Sequence, residues 1–71
     1  MELRVLKYFI KIAEEENMTK AAQKLHVSQP ALSKQMKELE NEIGHLLFVR
    51  NKQRMVLTEK GMLLKKRAES I

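Results

Sequence analysis

The sequence predicts a mainly α fold: a three-helix core, a two-stranded β-hairpin and the start of a fourth helix. Three observations carry this. Apolar residues recur at spacings of three and four before residue 17 and again after residue 28. Between those stretches, NMTKAAQKLHVSQPALSKQMK (Asn17 to Lys37) reads as a short helix, a tight turn and a second helix. After Gly44 the pattern breaks into two short apolar runs about a polar connection, as in a hairpin.

Composition bounds the possibilities. Seventy-one residues make one small domain, near the size at which a single core becomes marginal. The absence of cysteine leaves neither a disulfide framework nor a thiolate metal site. Fourteen Lys and Arg against nine Asp and Glu give a formal charge of +5, which suits a polyanionic partner, either nucleic acid or an anionic membrane surface. The excess is uneven: residues 1–28 carry +1, residues 29–44 carry −1 and residues 45–71 carry +5. No apolar run approaches the roughly 18 residues of a membrane span. Glu2, Arg4, Lys7 and Lys11 interrupt any secretory signal core, so a cytoplasmic protein is expected.

Each element has its own local signals. Over residues 2–16, Leu3, Leu6, Ile10 and Ala13 form an apolar stripe, widened by Val5, Phe9 and Ile12. Glu14 to Glu16 and Asn17 then make a polar break, with Asn17 the expected N-cap of the next helix and Thr19 its competitor. Ala21 and Ala22 are small enough for close helix approach, Leu25 is apolar, and His26 and Val27 make the turn. Ser28 is the next expected N-cap, and Pro30 is tolerated because first-turn N–H groups have no intrahelical acceptor. Leu32, Met36, Leu39 and Ile43 make the buried stripe of that helix. At about 100° per residue, Pro30, Ser33, Lys34 and Lys37 fall roughly opposite, with Gln29 at the tip. Gly44 is the expected left-handed stop. The helix runs against its own dipole, with Lys34 and Lys37 ahead of Glu38, Glu40 and Glu42. Such an order makes sense if its first half meets phosphates.

Leu46 to Val49 and Met55 to Leu57 are the expected strands, joined through the polar residues Asn51 to Arg54, with Asn51 taking positive φ. Thr58 looks like an N-cap, and Gly61, Leu64, Ala68 and Ile71 begin a seam on the last helix. Met36, Met55 and Met62 read as soft core filling. His26 and His45 stand nineteen residues apart with no carboxylate at metal-ligand spacing. No Gly-rich phosphate loop or Ser/His/Asp arrangement appears. Neither an enzyme nor a bound metal or cofactor is expected.

Taken together, these residues resemble the N-terminal DNA-binding domain of LysR-type transcriptional regulators. The resemblance rests on Leu3-Arg4 with Phe9, on Ala21-Ala22 and on the run Leu25-His26-Val27-Ser28-Gln29-Pro30-Ala31-Leu32-Ser33. Leu39-Glu40, Gly44, Leu47-Phe48, Arg50, and Leu57-Thr58 with Gly61 complete it. It implies a winged helix-turn-helix over residues 1–58, with the motif at 18–37, a wing at 46–57 and a recognition helix over 29–43. Residues 59–71 are then the truncated start of a dimerising linker helix. The effector-binding domain, which takes a small-molecule co-inducer, is expected to be missing. So are the homodimer or tetramer contacts of a full-length regulator, leaving this fragment a monomer or weak dimer on a double-stranded DNA operator.

The chemistry of individual side chains supports specific roles. Gln29 carries an amide able to pair bidentately with adenine, and its bland alternative is an exposed first-turn residue. Ser33 can contact a base edge or a phosphate, or merely bond the carbonyl four residues back. Pro30 either touches a thymine methyl or starts the helix. Lys34 can meet guanine or phosphate, and Lys37 phosphate, against the alternative of a solvated face. In the wing, Arg50, Lys52 and Arg54 offer cations to the backbone or the minor groove. Relatives often carry arginine where this chain has Gln53, with glycine nearby; here Arg54 follows and is the expected minor-groove residue. Thr19 and Lys20 are further phosphate candidates. Two rival classes compete with this reading. One is a helix-turn-helix used for protein–protein assembly, which would favour apolar anchors over Gln29, Ser33 and Lys34. The other is a basic amphipathic membrane-surface binder built on Lys65-Lys66-Arg67.

Overall fold

The computed structural model describes residues 2–52 and 54–70. The elements run α1 (Leu3–Glu15), α2 (Met18–Leu25), α3 (Gln29–Ile43), β1 (Phe48–Asn51), β2 (Arg54–Leu57) and α4 (Glu59–Glu69). Helices α2, α3 and α4 begin at side-chain caps, and α1, α2 and α3 end in left-handed residues. Asn17 takes the α2 cap, not Thr19: its side chain accepts the Lys20 N–H at 2.9 Å. Ser28 accepts from Ala31 N–H at 3.1 Å, and Thr58 from Gly61 N–H at 3.0 Å. Glu16, His26 and Gly44 close α1, α2 and α3 in the left-handed region, with φ of 54°, 60° and 85°.

The core is assembled from α1, α2, α3 and the start of the wing. Phe9, Ile12, Met18, Ala21, Ala22, Leu32, Met36, Leu39, Leu47 and Phe48 are buried. The rings of Phe9 and Phe48 meet tilted at a centroid distance of 5.3 Å, which joins α1 to β1. Ala21 and Ala22 allow α2 to lie close against its neighbours, as their size implies.

Four expectations need correction. The centre of the α1 stripe is Phe9 and Ile12, and Leu3 is 62% exposed at the open end of the helix. In the hairpin, Asn51 pairs with Arg54 as the last rung, so the turn is two residues long and Lys52, not Asn51, holds positive φ (59°). A two-residue turn favours positive φ at its centre, which strand pairing denies to Asn51. Met62 is 57% exposed, unlike Met36 and Met55, because it faces away from the body of the domain. Gly61 is buried against the domain itself: a Cβ there would sit 2.2 Å from the Leu47 carbonyl oxygen. The inner side of α4 therefore packs on its own chain, with Leu64, and the seam cannot begin at Gly61. Its Ile71 end lies outside the described residues.

Two polar side chains hold the wing to the helices. One Glu40 carboxylate oxygen accepts both Leu47 N–H (2.7 Å) and Phe48 N–H (3.3 Å). Thr58 Oγ1 donates to the Leu46 carbonyl at 2.7 Å while Thr58 N–H donates to Leu47 O at 2.9 Å. These satisfy backbone groups at and just before the start of β1.

Candidate nucleic-acid interface

The α3 helix divides its surface between three environments. Leu32, Met36 and Leu39 enter the core. Gln29, Ser33 and Lys37, spaced four apart, share a side that faces the wing. Gln35, Glu38 and Glu42 line a separate groove against Glu2 and Val5 of the N-terminal region.

The wing-facing side opens into two adjoining shallow grooves. The first, of about 200 Å³, is lined by Asn17, Met18, Thr19, Gln29, Arg50, Lys52 and Met55. The second is lined by Ser33, Lys37, Glu40 and Arg50, over a floor of Met18, Met36, Phe48 and Met55. Arg50 is common to both because the hairpin register sets it, with Met55, on the same face as the buried Phe48. Two helix N-termini, those of α2 and α3, meet at the first groove, and among the described residues no acidic side chain lines it. The field there is positive from three sources: the cations of the wing and the partial charges of the two helix starts. Glu40 lines the second groove, its carboxylate engaged by two backbone N–H groups, while Glu2, Glu38 and Glu42 line the far groove.

The structure thus brings Thr19, Gln29, Arg50 and Lys52 together, and joins Ser33 and Lys37 to them through Arg50. Pro30 and Lys34 line neither groove; both are exposed, each one residue beyond a groove residue. Lys20 is exposed too, its backbone N–H held by the Asn17 cap. Gln53 lies outside the described residues. Arg54 is placed apart from the others: it projects from the opposite face of the hairpin and its guanidinium donates to Glu16 Oε2 at 2.9 Å. Glu40 was legible in principle, since three residues after Lys37 and seven after Ser33 it falls on the same side of the helix. Glu16 was not, since its partner lies 38 residues away with no local pattern connecting them.

An ion pair also links α1 to α2. Glu15 Oε2 accepts from Lys24 Nζ at 2.8 Å, and that bond holds the carboxyl below its ordinary value and the amine above its own. Among the described residues, no cluster of His, Cys, Asp or Glu could hold a metal ion. No helix among them is long and apolar enough to cross a membrane.

A helix-turn-helix, a β-hairpin standing beside its second helix, and a basic groove between the two define a winged helix-turn-helix domain. The chain belongs to the lysR family of bacterial regulatory helix-turn-helix proteins, whose sequence profile matches residues 3–62. It is 53% identical over 72 residues to the HTH-type transcriptional regulator BsdA of Bacillus subtilis (strain 168), covering 100% of this chain and 25% of BsdA. It is 52% identical over 61 residues to the Hca operon transcriptional activator HcaR of Escherichia coli (strain K12), covering 86% of this chain and 21% of HcaR. The chain therefore spans about a quarter or less of the length of these curated relatives. Among solved structures, the DNA complex of the CbnR DNA-binding domain superposes with a TM-score of 0.93 at 44% identity, covering 99% of this chain and 80% of that one. The complex of the BenM DNA-binding domain with catB site 1 DNA matches with a TM-score of 0.93 at 41% identity, covering 99% and 78%.

Proposed function

We propose that this chain is the DNA-reading module of a bacterial transcriptional regulator and binds double-stranded DNA sequence-specifically. The observation that carries the proposal is the convergence of Gln29, Ser33 and Lys37 of α3 with Arg50 and Lys52 of the wing on one side, where the Glu40 carboxylate is already engaged by backbone N–H groups. An α-helix fits the major groove, where the Gln29 amide can read adenine and Ser33 a base edge. Pro30 and Lys34 form the exposed rim that meets the groove first. Lys20, Lys37, Arg50 and Lys52 neutralise phosphates on either side, Thr19 donates its hydroxyl to one, and together they hold the register. The likeness to two DNA-complexed domains supports the same docking. Binding, not catalysis, is the role, in a cytoplasmic protein. Co-inducer binding and stable dimerisation belong to parts of a longer regulator outside these 71 residues.

Base contacts specify and phosphate contacts position, which gives the test. Gln29→Ala should relax sequence preference among duplexes selected from a random pool. Lys52→Ala should weaken selected and random duplexes alike. Equal losses on both kinds of duplex for both variants would refute the assignment of roles.

A further inference from the structure

The three consecutive glutamates at the end of α1 do different things. Glu14 and Glu15 bridge to Lys11 and Lys24 within the helical body. Glu16 instead takes the Arg54 guanidinium at 2.9 Å. The backbone gives no reason for a glutamate there: at φ 54° it is the left-handed cap of α1, where glycine or asparagine sits with less strain. Nor does the ion pair seat the wing. The Met55 N–H donates to the Glu16 carbonyl at 3.0 Å whatever the side chain, and Phe48 anchors the hairpin in the core. What the Glu16 carboxylate does is occupy Arg54.

We infer that Glu16 is a resident substitute for a DNA phosphate: it keeps Arg54 off the duplex, leaving Arg50 and Lys52 as the wing's working cations. This rests on the DNA-binding reading above. Arg54 stands opposite Asn51 on the hairpin face turned away from Arg50 and Met55, and there its guanidinium is held by Glu16. With side chains 65% and 47% exposed, the pair is open to exchange with any competing anion. A phosphate gains from Arg54 only the difference between itself and a carboxylate already in place. Arg54 therefore drops out of the phosphate count that sets the salt dependence of binding.

The test measures affinity of the 71-residue chain for a random-sequence duplex across roughly 50–200 mM salt, where the logarithmic slope counts neutralised phosphates at about 0.9 each. Glu16→Gln should bind more tightly and steepen the slope by about 0.9, as Arg54 is freed. Arg54→Gln alone, and the double variant Glu16→Gln/Arg54→Gln, should keep the wild-type slope. An unchanged slope in Glu16→Gln overturns the inference. So does a gain that persists in the double variant, which would be a general charge effect. A flatter slope in Arg54→Gln alone would show Arg54 already on the duplex. Loss of folding in Glu16→Gln would show that the pair is structural, and equally overturns it. If the wild-type chain binds no duplex even at low salt, the DNA-binding reading fails and this inference with it; binding with unmoved slopes sinks the inference alone.

Discussion

Replacing Gly61 by alanine sets two opposed effects against each other at one position. Helix propensity favours alanine by about 0.8–1.0 kcal/mol in a helix interior, so from the sequence of α4 the substitution stabilises. The structure reverses the sign. The new Cβ would lie 2.2 Å from Leu47 O, 2.9 Å from a Leu57 methyl and 3.2 Å from the Leu47 carbonyl carbon. Optimal carbon contacts lie near ~3.5 Å or beyond, so something must move by about 1 Å. The carbonyl is not free to move, because it accepts from Thr58 N–H at 2.9 Å and its own residue's N–H is held by Glu40 at 2.7 Å. Overpacking of this kind costs about 1–3 kcal/mol, and weakening the Thr58 bond adds about 1 kcal/mol. Net of propensity, Gly61→Ala should destabilise by about 1–3 kcal/mol. At ~4–8 °C per kcal/mol for a domain of this size, Tm should fall by roughly 5–20 °C. Thermal unfolding followed by far-ultraviolet circular dichroism measures this, with Lys60→Ala, one residue earlier and exposed, as the comparison. A Tm for Gly61→Ala equal to or above wild type would refute the packing argument.

Other substitutions probe the remaining joints. Glu40→Ala leaves two strand-start N–H groups without their acceptor and should cost about 2–3 kcal/mol in urea unfolding, with Glu40→Gln losing about half of that. Equal stability of both variants with wild type would dismiss Glu40 as the link between α3 and the wing. Lys52→Gly relieves a left-handed lysine, so the hairpin should be no less stable while duplex affinity falls; a loss of stability would contradict the turn geometry. The Glu15–Lys24 pair has a defined pH signature. Because the Glu15 carboxyl sits below its ordinary value of 4.5, the pair's contribution is complete above that value and is lost as pH falls through the lowered one. Lys24→Ala should therefore flatten the acid limb of a stability–pH profile, and an unchanged limb would remove the pair from the account. Sedimentation at micromolar concentration should find a monomer or weak dimer. The eleven residues of α4 are short for an autonomous helix, and Gly61 and Leu64 already face the body.

Much of this domain was legible one residue at a time. Asn17, Ser28, Gly44 and Thr58 each start or stop a helix by bonds within their own turn, so their roles follow from residue type and neighbours alone. The spacing of Leu32, Met36 and Leu39 placed Gln29, Ser33 and Lys37 off the core for the same reason, since a helix makes its faces from local geometry. The sequence by itself thus determined the helices, the family and which α3 side chains stay off the core. Only the tertiary structure decided what each cation and glycine faces. Arg50 and Arg54 are equivalent as text, yet strand register sends one into the grooves beside α3 and the other to Glu16. Gly61 looked like the start of an outward seam, and the Leu47 carbonyl turned it inward. Both outcomes depend on chain segments fourteen to thirty-eight residues away, where spacing no longer carries information and packing alone decides.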